Sequence, residues 1–398
     1  MNKSSGSLLG GSFLIAGTTI GGGMLALPVT TSQVGFIPAV IIFFICWLFM
    51  ASTGLLFLEI SQWMKREANI VTMAEGTLGQ IGKWIAWVVY LFLFYCLTVA
   101  YIVGCGNILV EMSGSQISDW LAPIIFVILF APLIMIPTVL ASRLNILLVI
   151  GLALSYFGFV FLGFSHVKAD LLLTHDWSYA MYTLPISFVA FAYQGIIPTL
   201  FTYMHHDVAK TRKAILIGSF IPLIAYIIWE WLILGIVPFD GPQGLKDALM
   251  AGHNAVYPLK FFLKNNFIYL LGQSFAFFAL VTSFLGVSLG LRDFLADGLK
   301  IKKNLKGKLT LALLVFFIPL MIAVTYPHIF LISLDYAGGF GSAILLGLLP
   351  ILMVWSGRYR QHLSPNKPQL PGGKGLLIGL GIFVTVEIIS ESIHVFFM

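Results

Sequence analysis

The chain has 398 residues, 59% of them hydrophobic and 10% charged, with a mean hydropathy of +0.98 and a formal net charge of +6. A water-soluble domain carries roughly a quarter charged residues, so there is too little polar side chain here to cover a globule of this size, and disorder, which needs low hydrophobicity and high charge, is excluded too. The apolar runs are long and continuous rather than short and alternating, which excludes an outer-membrane β-barrel and leaves an all-α polytopic membrane protein.

Crossing the hydrocarbon takes about 20 helical residues. Eleven runs qualify: 7–34, 37–62, 82–112, 120–139, 143–165, 181–204, 212–238, 266–291, 308–326, 328–355 and 375–396. The first is broken by glycines and lacks a small-residue cleavage site, so it reads as a retained span rather than a signal peptide. Its run Gly17-Thr18-Thr19-Ile20-Gly21-Gly22-Gly23-Met24, followed by Pro28, makes a poor helix. Packing explains one or two glycines on one face, but three in a row cover every face. An unwound segment is expected, and at membrane depth it is tolerated only beside protein or a wet cavity. Between spans two and three, segment 65–80, with Ile70, Met73 and Leu78 among polar residues, reads as a short interfacial helix.

The sixth span carries a second interruption, Phe191-Ala192-Tyr193-Gln194-Gly195-Ile196-Ile197-Pro198. Proline lacks a backbone N–H and restricts the residue before it; a simple kink is the plainer alternative. The two breaks open two sets of five spans. An odd number per set inverts the second, which predicts an inverted repeat of about 7–165 and 181–355, an appended helix 375–396, and one domain over 1–398. With the N-terminus in the cytoplasm, 18 of the 22 lysines and arginines fall on that side, Lys3, Lys65, Arg66, Lys303 and Lys367 among them. Lys168, Lys246, Lys260 and Lys264 remain outside, as the positive-inside rule requires, and the C-terminus is outside as well.

The first half-helix, ending near Thr18, exposes carbonyls that suit an ammonium group or a cation. The second, beginning near Gly21, Gly22 and Gly23, offers N–H groups and a positive dipole end that suit a carboxylate. Together they describe a zwitterionic amino acid. Thr18 and Thr19 add hydroxyls, Ala192 or Tyr193 carbonyls, and Gly195–Ile197 amides. Phe188, Phe191 and Tyr193, with Tyr95, Tyr101, Phe277 and Phe284, could stack on an aromatic side chain, although 34 phenylalanines make ring clusters common. Gln194 suits a phenol or a freed backbone carbonyl equally. Intramembrane acids are functional candidates: Glu230, in Trp229-Glu230-Trp231 of span seven, and Asp335, ahead of Gly338-Gly339-Phe340-Gly341 in span ten. A structural partner for a hydroxyl is the alternative for each. Glu59 reads as a surface residue, and Glu387 and Glu391 as interfacial.

No enzyme is expected. The three cysteines, Cys46, Cys96 and Cys105, form no CxxC pair. The eight histidines form no HExxH, His205-His206-Asp207 reads as a solvated helix end, and no GxxxxGK[ST] is present. No catalytic residue, cofactor, metal or nucleic-acid partner is called for. A channel would want rings of charge or carbonyls around a pore, whereas one pair of breaks suits alternating access.

GTTIGGGMLALP (Gly17–Pro28), FAYQGIIP (Phe191–Pro198) and SFLGVSLGLRDFLADGL (Ser283–Leu299) resemble the hydroxy/aromatic amino-acid permease family, and within it the bacterial tyrosine-specific transport proteins, over essentially the whole chain. The resemblance implies a LeuT-type five-plus-five fold with discontinuous helices 1 and 6. It also implies residence in the bacterial inner membrane and import of tyrosine or a related aromatic amino acid by proton symport. A sodium alternative has its own residues. In LeuT-type carriers a site lies between spans one and eight, where Thr282 and Ser283 could join the carbonyls of Ala16 and Ile20 around a hard cation. Proton-driven relatives can replace that ion with a basic residue from span five. Here span five has Arg143 only at its edge and no lysine inside, a departure from that pattern.

Overall fold

The computed structural model of the protein describes residues 6–64, 68–136, 138–302, 304–363 and 368–397. Lys3, Lys65, Arg66, Lys303 and Lys367 of the charge assignment lie outside the described residues. The described residues are helical, with no strand. In chain order the helices are α1 (Leu8–Thr19), α2 (Gly22–Thr31), α3 (Phe36–Trp63), α4 (Ile70–Met112), α5 (Leu121–Phe130), α6 (Thr138–Gly163), α7 (Leu184–Ala190), α8 (Ile197–Tyr203) and α9 (Val208–Ile236). There follow α10 (Leu245–Met250), α11 (Leu259–Phe262), α12 (Asn266–Gly298), α13 (Leu305–Thr325), α14 (Phe330–Tyr336), α15 (Leu349–Tyr359) and α16 (Gly373–Phe397). A π-wound segment, Ala337–Leu348, joins α14 to α15.

Among the described residues nine helical stretches are long and apolar enough to cross a membrane, ten when α1 and α2, bent by 56°, count as one. The expected fourth span, 120–139, is the apolar helix Leu121–Ile134, shorter than the about 20 residues that a crossing takes. Polar residues at the helix starts fix where winding begins. Ser7, Asn69, Asp207, Asn265 and Asn304 each accept a first-turn backbone N–H at the heads of α1, α4, α9, α12 and α13. Asp207 does so from an exposed turn that also holds His205 and His206, the solvated end expected there.

The outer faces carry apolar side chains that nothing among the described residues covers. Leu154 is 70% exposed, Phe161 81% and Ile382 60%. Such a belt is what lipid contact demands. Inside, α1 lies against α9, α12 runs along α6 and α4, and the π-wound segment sits between α7, α4 and α16.

Two expectations are corrected. Ile70–Leu78 is helical, but Ile70, Met73 and Ala74 are buried in the protein rather than laid on an interface. Gly79, at φ 74°, breaks the helix and frees the Thr77 carbonyl, which accepts from Ser356 Oγ at 2.6 Å and Gln361 Nε2 at 2.8 Å. Glu59 is no surface residue. It is fully buried and accepts Arg358 Nε at 2.6 Å, Arg358 Nη2 at 2.7 Å and the Gln369 N–H at 2.8 Å. A bidentate guanidinium and a backbone amide make that burial tolerable.

Candidate substrate site

The first span unwinds where the glycine run begins to crowd. α1 stops at Thr19 and α2 starts at Gly22, leaving Ile20 and Gly21 extended. Close approach dictates the glycines. A Cβ on Gly21 would stand 2.2 Å from Ser283 Oγ, one on Gly22 2.5 Å from the Tyr101 ring, and one on Gly23 3.0 Å from the Ala190 Cα. The Gly22 N–H, which in a continuous helix would bond the Thr18 carbonyl, is turned to Ser283 Oγ at 3.3 Å. The Thr18 carbonyl is thereby open to the space beside it. Ala16 is less free, because its carbonyl accepts the Ile20 N–H at 2.9 Å.

The sixth span breaks after α7, and Phe191, Ala192 and Tyr193 lead into a short 3-10 turn, Gln194–Ile196, ahead of α8. Gln194 decides the local geometry. Its Oε1 accepts the Tyr193 N–H at 2.9 Å, and its Nε2 donates to the Met50 carbonyl and Thr53 Oγ1, each at 3.1 Å. Of the two partners left open by the sequence, backbone is the one realised. Tyr226 of α9 joins the two breaks: its hydroxyl lies 2.8 Å from both the Thr19 and the Ala190 carbonyls.

Between the breaks lies a cavity of about 490 Å³, within the size range of small-molecule sites. The breaks contribute Gly17, Thr18, Thr19, Gly21, Gly23, Ala192, Tyr193, Gln194 and Gly195. A Cβ at Gly17 or Gly195 would meet nothing within 4 Å, so both positions look onto open space. Tyr90, Phe94 and Tyr101 of α4 form an aromatic wall, α12 gives Thr282 and Ser283, and the π-wound segment gives Ser342, whose buried hydroxyl has no partner. The cavity continues to Ile70, Asn145 and Gly290, at the end of the bundle where the basic segments cluster. Thr18, Thr19 and Thr282 donate their hydroxyls to helix carbonyls, which leaves their oxygens as acceptors.

Several expected residues lie elsewhere. Phe191 is buried, with its ring on Phe43 and Tyr226, and Phe188 stacks on Phe49. Neither reaches the cavity, because the turn at the break points both rings into the packing with α3. Tyr95 donates to the Leu314 carbonyl, away from the site, and Phe277 and Phe284 meet the rings of Phe130, Phe126 and Phe316. Gly22 looks at Tyr101 rather than at the cavity. Glu230 is fully buried at the far end of α2, where Thr31 Oγ1 donates to it, and is not part of the cavity. Asp335 is distant from the cavity as well. A carboxyl oxygen of Asp335, one of Glu391 and a ring nitrogen of His394 lie within 4.8 Å of one another. Glu387 and Glu391 are buried, 1% and 3% exposed, not interfacial. Sequence reasoning missed Tyr226, Tyr90, Phe94, Asn145 and Ser342. Only Tyr226 left a signal, a polar tip at mid-depth one turn before Glu230.

Two broken spans around a central cavity define a membrane carrier of the LeuT type rather than an enzyme. The fold is similar to that of MhsT solved in complex with L-phenylalanine, with a TM-score of 0.61 at 14% identity over 97% of this chain and 98% of that one. The chain belongs to the tryptophan/tyrosine permease family, whose sequence model matches residues 4–390. It is 33% identical to tyrosine-specific transport system 1 of Haemophilus influenzae over 99% of this chain and 98% of that protein. It is 29% identical to the tryptophan-specific transport protein of the same organism, over 98% and 97%.

Proposed function

We propose that the protein imports an aromatic amino acid, tyrosine foremost, across the bacterial inner membrane by proton symport and alternating access. Its N-terminus is cytoplasmic, and residues 7–165 and 181–355 are the two repeats of one transporter domain. The observation that carries the reading is the cavity between the breaks, which pairs backbone ends with an aromatic wall. The open Thr18 carbonyl suits the substrate ammonium. The first turn of α2 suits its carboxylate. Tyr90, Phe94 and Tyr101 suit its ring. Relatives named for tyrosine and for tryptophan support an aromatic cargo. The cavity's continuation toward Ile70, Asn145 and Gly290 supports an inward-facing state.

Protons are favoured over sodium because two of the four oxygens that would ring a cation each face an amide. Ser283 Oγ faces the Gly22 N–H, and the Ala16 carbonyl faces the Ile20 N–H. An amide aimed at an oxygen opposes a cation there. The test is uptake of labelled tyrosine into vesicles with pH and sodium gradients imposed separately and unlabelled amino acids as competitors. Saturable accumulation driven by the pH gradient, with tyrosine the strongest competitor, is expected. Accumulation driven by sodium alone overturns the coupling, and stronger competition by tryptophan overturns the cargo.

A further inference from the structure

Three acids sit together in the half of the membrane opposite to the cavity's opening. Asp335 ends the first turns of span ten on α14, and Glu387 and Glu391 lie one turn apart on α16. A carboxyl oxygen of Asp335 and one of Glu391 lie within 4.8 Å of each other. Two carboxylates that close in a largely buried site repel, which favours a proton on one of them. Below them, Glu387 is 1% exposed and, among the described residues, neither of its oxygens has a hydrogen-bond partner. A lone buried carboxylate is costly, so a proton is what such a group takes up. Facing the three are Tyr336 on α14, with Cys96 of α4 beside it, Cys46 on α3 and His394 on α16, whose Nδ1 is 3.9 Å from Glu391 Oε2. Among these described residues there is no lysine or arginine, and His394, when protonated, is the one group that favours the ionised form.

The site has an outer entrance and an inward connection. A cavity of about 260 Å³ reaches Asp335 and His394 past Thr30, Gln33, Tyr179 and Tyr182. The glycines next along the span make backbone contact possible. A Cβ on Gly339 would meet Glu391 Cγ at 2.5 Å, and one on Gly338 would meet the Pro185 carbonyl oxygen at 1.7 Å. Pro185 belongs to α7, the half-helix that ends at the second break. Further along the same π-wound segment, Ser342 lines the substrate cavity. Runs of π-helix concentrate where a helix serves a function, and this one links the acids to both the break and the cavity.

We infer that the coupling proton binds at the Asp335–Glu391 carboxyl pair, with Glu387 as its inner neighbour, and that the π-wound segment carries the effect to the substrate cavity. In the step, a proton from the outer water joins a carboxylate oxygen of the group. No bond other than O–H forms or breaks, and the same proton leaves to the inner water once the substrate has been released. The assignment rests on the proton-symport reading but goes beyond it, because it sets aside Glu230.

The test uses the full chain in proteoliposomes and labelled tyrosine, with exchange and uphill accumulation measured side by side. In D335N and E391Q, accumulation should fall at least tenfold further than exchange. Where either variant loses exchange too, D335E or E391D, which keep a carboxyl group, should restore both activities. Wild-type accumulation by D335N or E391Q overturns the site, and so does failure of the carboxyl-retaining variants to restore exchange. Selective loss of accumulation in E230Q, with none in the other two, moves the proton to Glu230. Wild-type accumulation that a metal chelator abolishes at a constant pH gradient gives the three groups to a divalent cation. If the wild type itself ignores the pH gradient, the symport reading fails; if the wild type responds and D335N and E391Q respond equally, only the site fails.

Discussion

The two breaks that frame the cavity are built differently. The first is short, two extended residues between α1 and α2, and its freedom comes from glycines that present bare backbone to Ser283, Tyr101 and Ala190. The second is longer and held by side chains. Gln194 and Tyr193 both reach the Met50 carbonyl on α3, and Phe191 is wedged between Phe43 and Tyr226. One break is an open edge that can receive a charged ligand. The other is a pinned frame that keeps the opposite wall in place.

That contrast predicts different failures at the two breaks. On the open edge, G17V places a side chain in the cavity without a clash, so uptake should fall by about two orders of magnitude, as a misfit of an ångström or so can produce, while folded yield stays normal. G22V should instead lower folded yield, since its side chain meets Tyr101 and Leu280. Normal uptake by G17V would break the comparison. At the pinned frame, Q194L strands the Tyr193 N–H and one bond to the Met50 carbonyl. Each buried group left unsatisfied costs about 1–3 kcal/mol, and thermal melting of purified protein should show a clear drop in Tm. Y226F removes the one hydroxyl that serves both breaks. At about 1 kcal/mol for a hydrogen bond, uptake should drop about fivefold, a value that transport kinetics would resolve.

The smallest effect concerns the outer support of α2. The loop beyond α10 holds that half-helix through the Ala255 N–H, 2.9 Å from the Leu25 carbonyl. In the same loop, burial first and then neighbouring His328 push His253 down to about 4 from the usual 6.5. A histidine depressed on folding stabilises the neutral loop above 6.5, and that contribution is lost as pH falls from 6.5 toward 4. H253Q should flatten the dependence of Tm on pH across that window. An unchanged slope would detach His253 from the support of α2.

Much of this was legible in the residues. Three consecutive glycines can only be a backbone that must be approached from all sides, and Pro198 after Gly195 marks where the second helix restarts. What escaped depends on rotation about helix axes. Periodicity in a uniformly apolar span does not say which face meets a partner, so Phe191 was expected in the cavity and Tyr90 and Phe94 were not. Partners distant in sequence were hidden for the same reason. Glu59 reads as exposed until Arg358, 299 residues on, closes over it. Glu387 and Glu391 read as interfacial until the glycines of the π-wound segment let α16 approach.

The central claim is that the two breaks jointly hold one aromatic amino acid. An electron-microscopy structure of the protein in lipid with saturating tyrosine tests it most directly. The account predicts a ligand with its ammonium at the Thr18 carbonyl, its carboxylate at the first turn of α2, and its ring against Tyr90, Phe94 and Tyr101. Tyrosine bound elsewhere, with the space between α2 and α7 empty or closed, would contradict it.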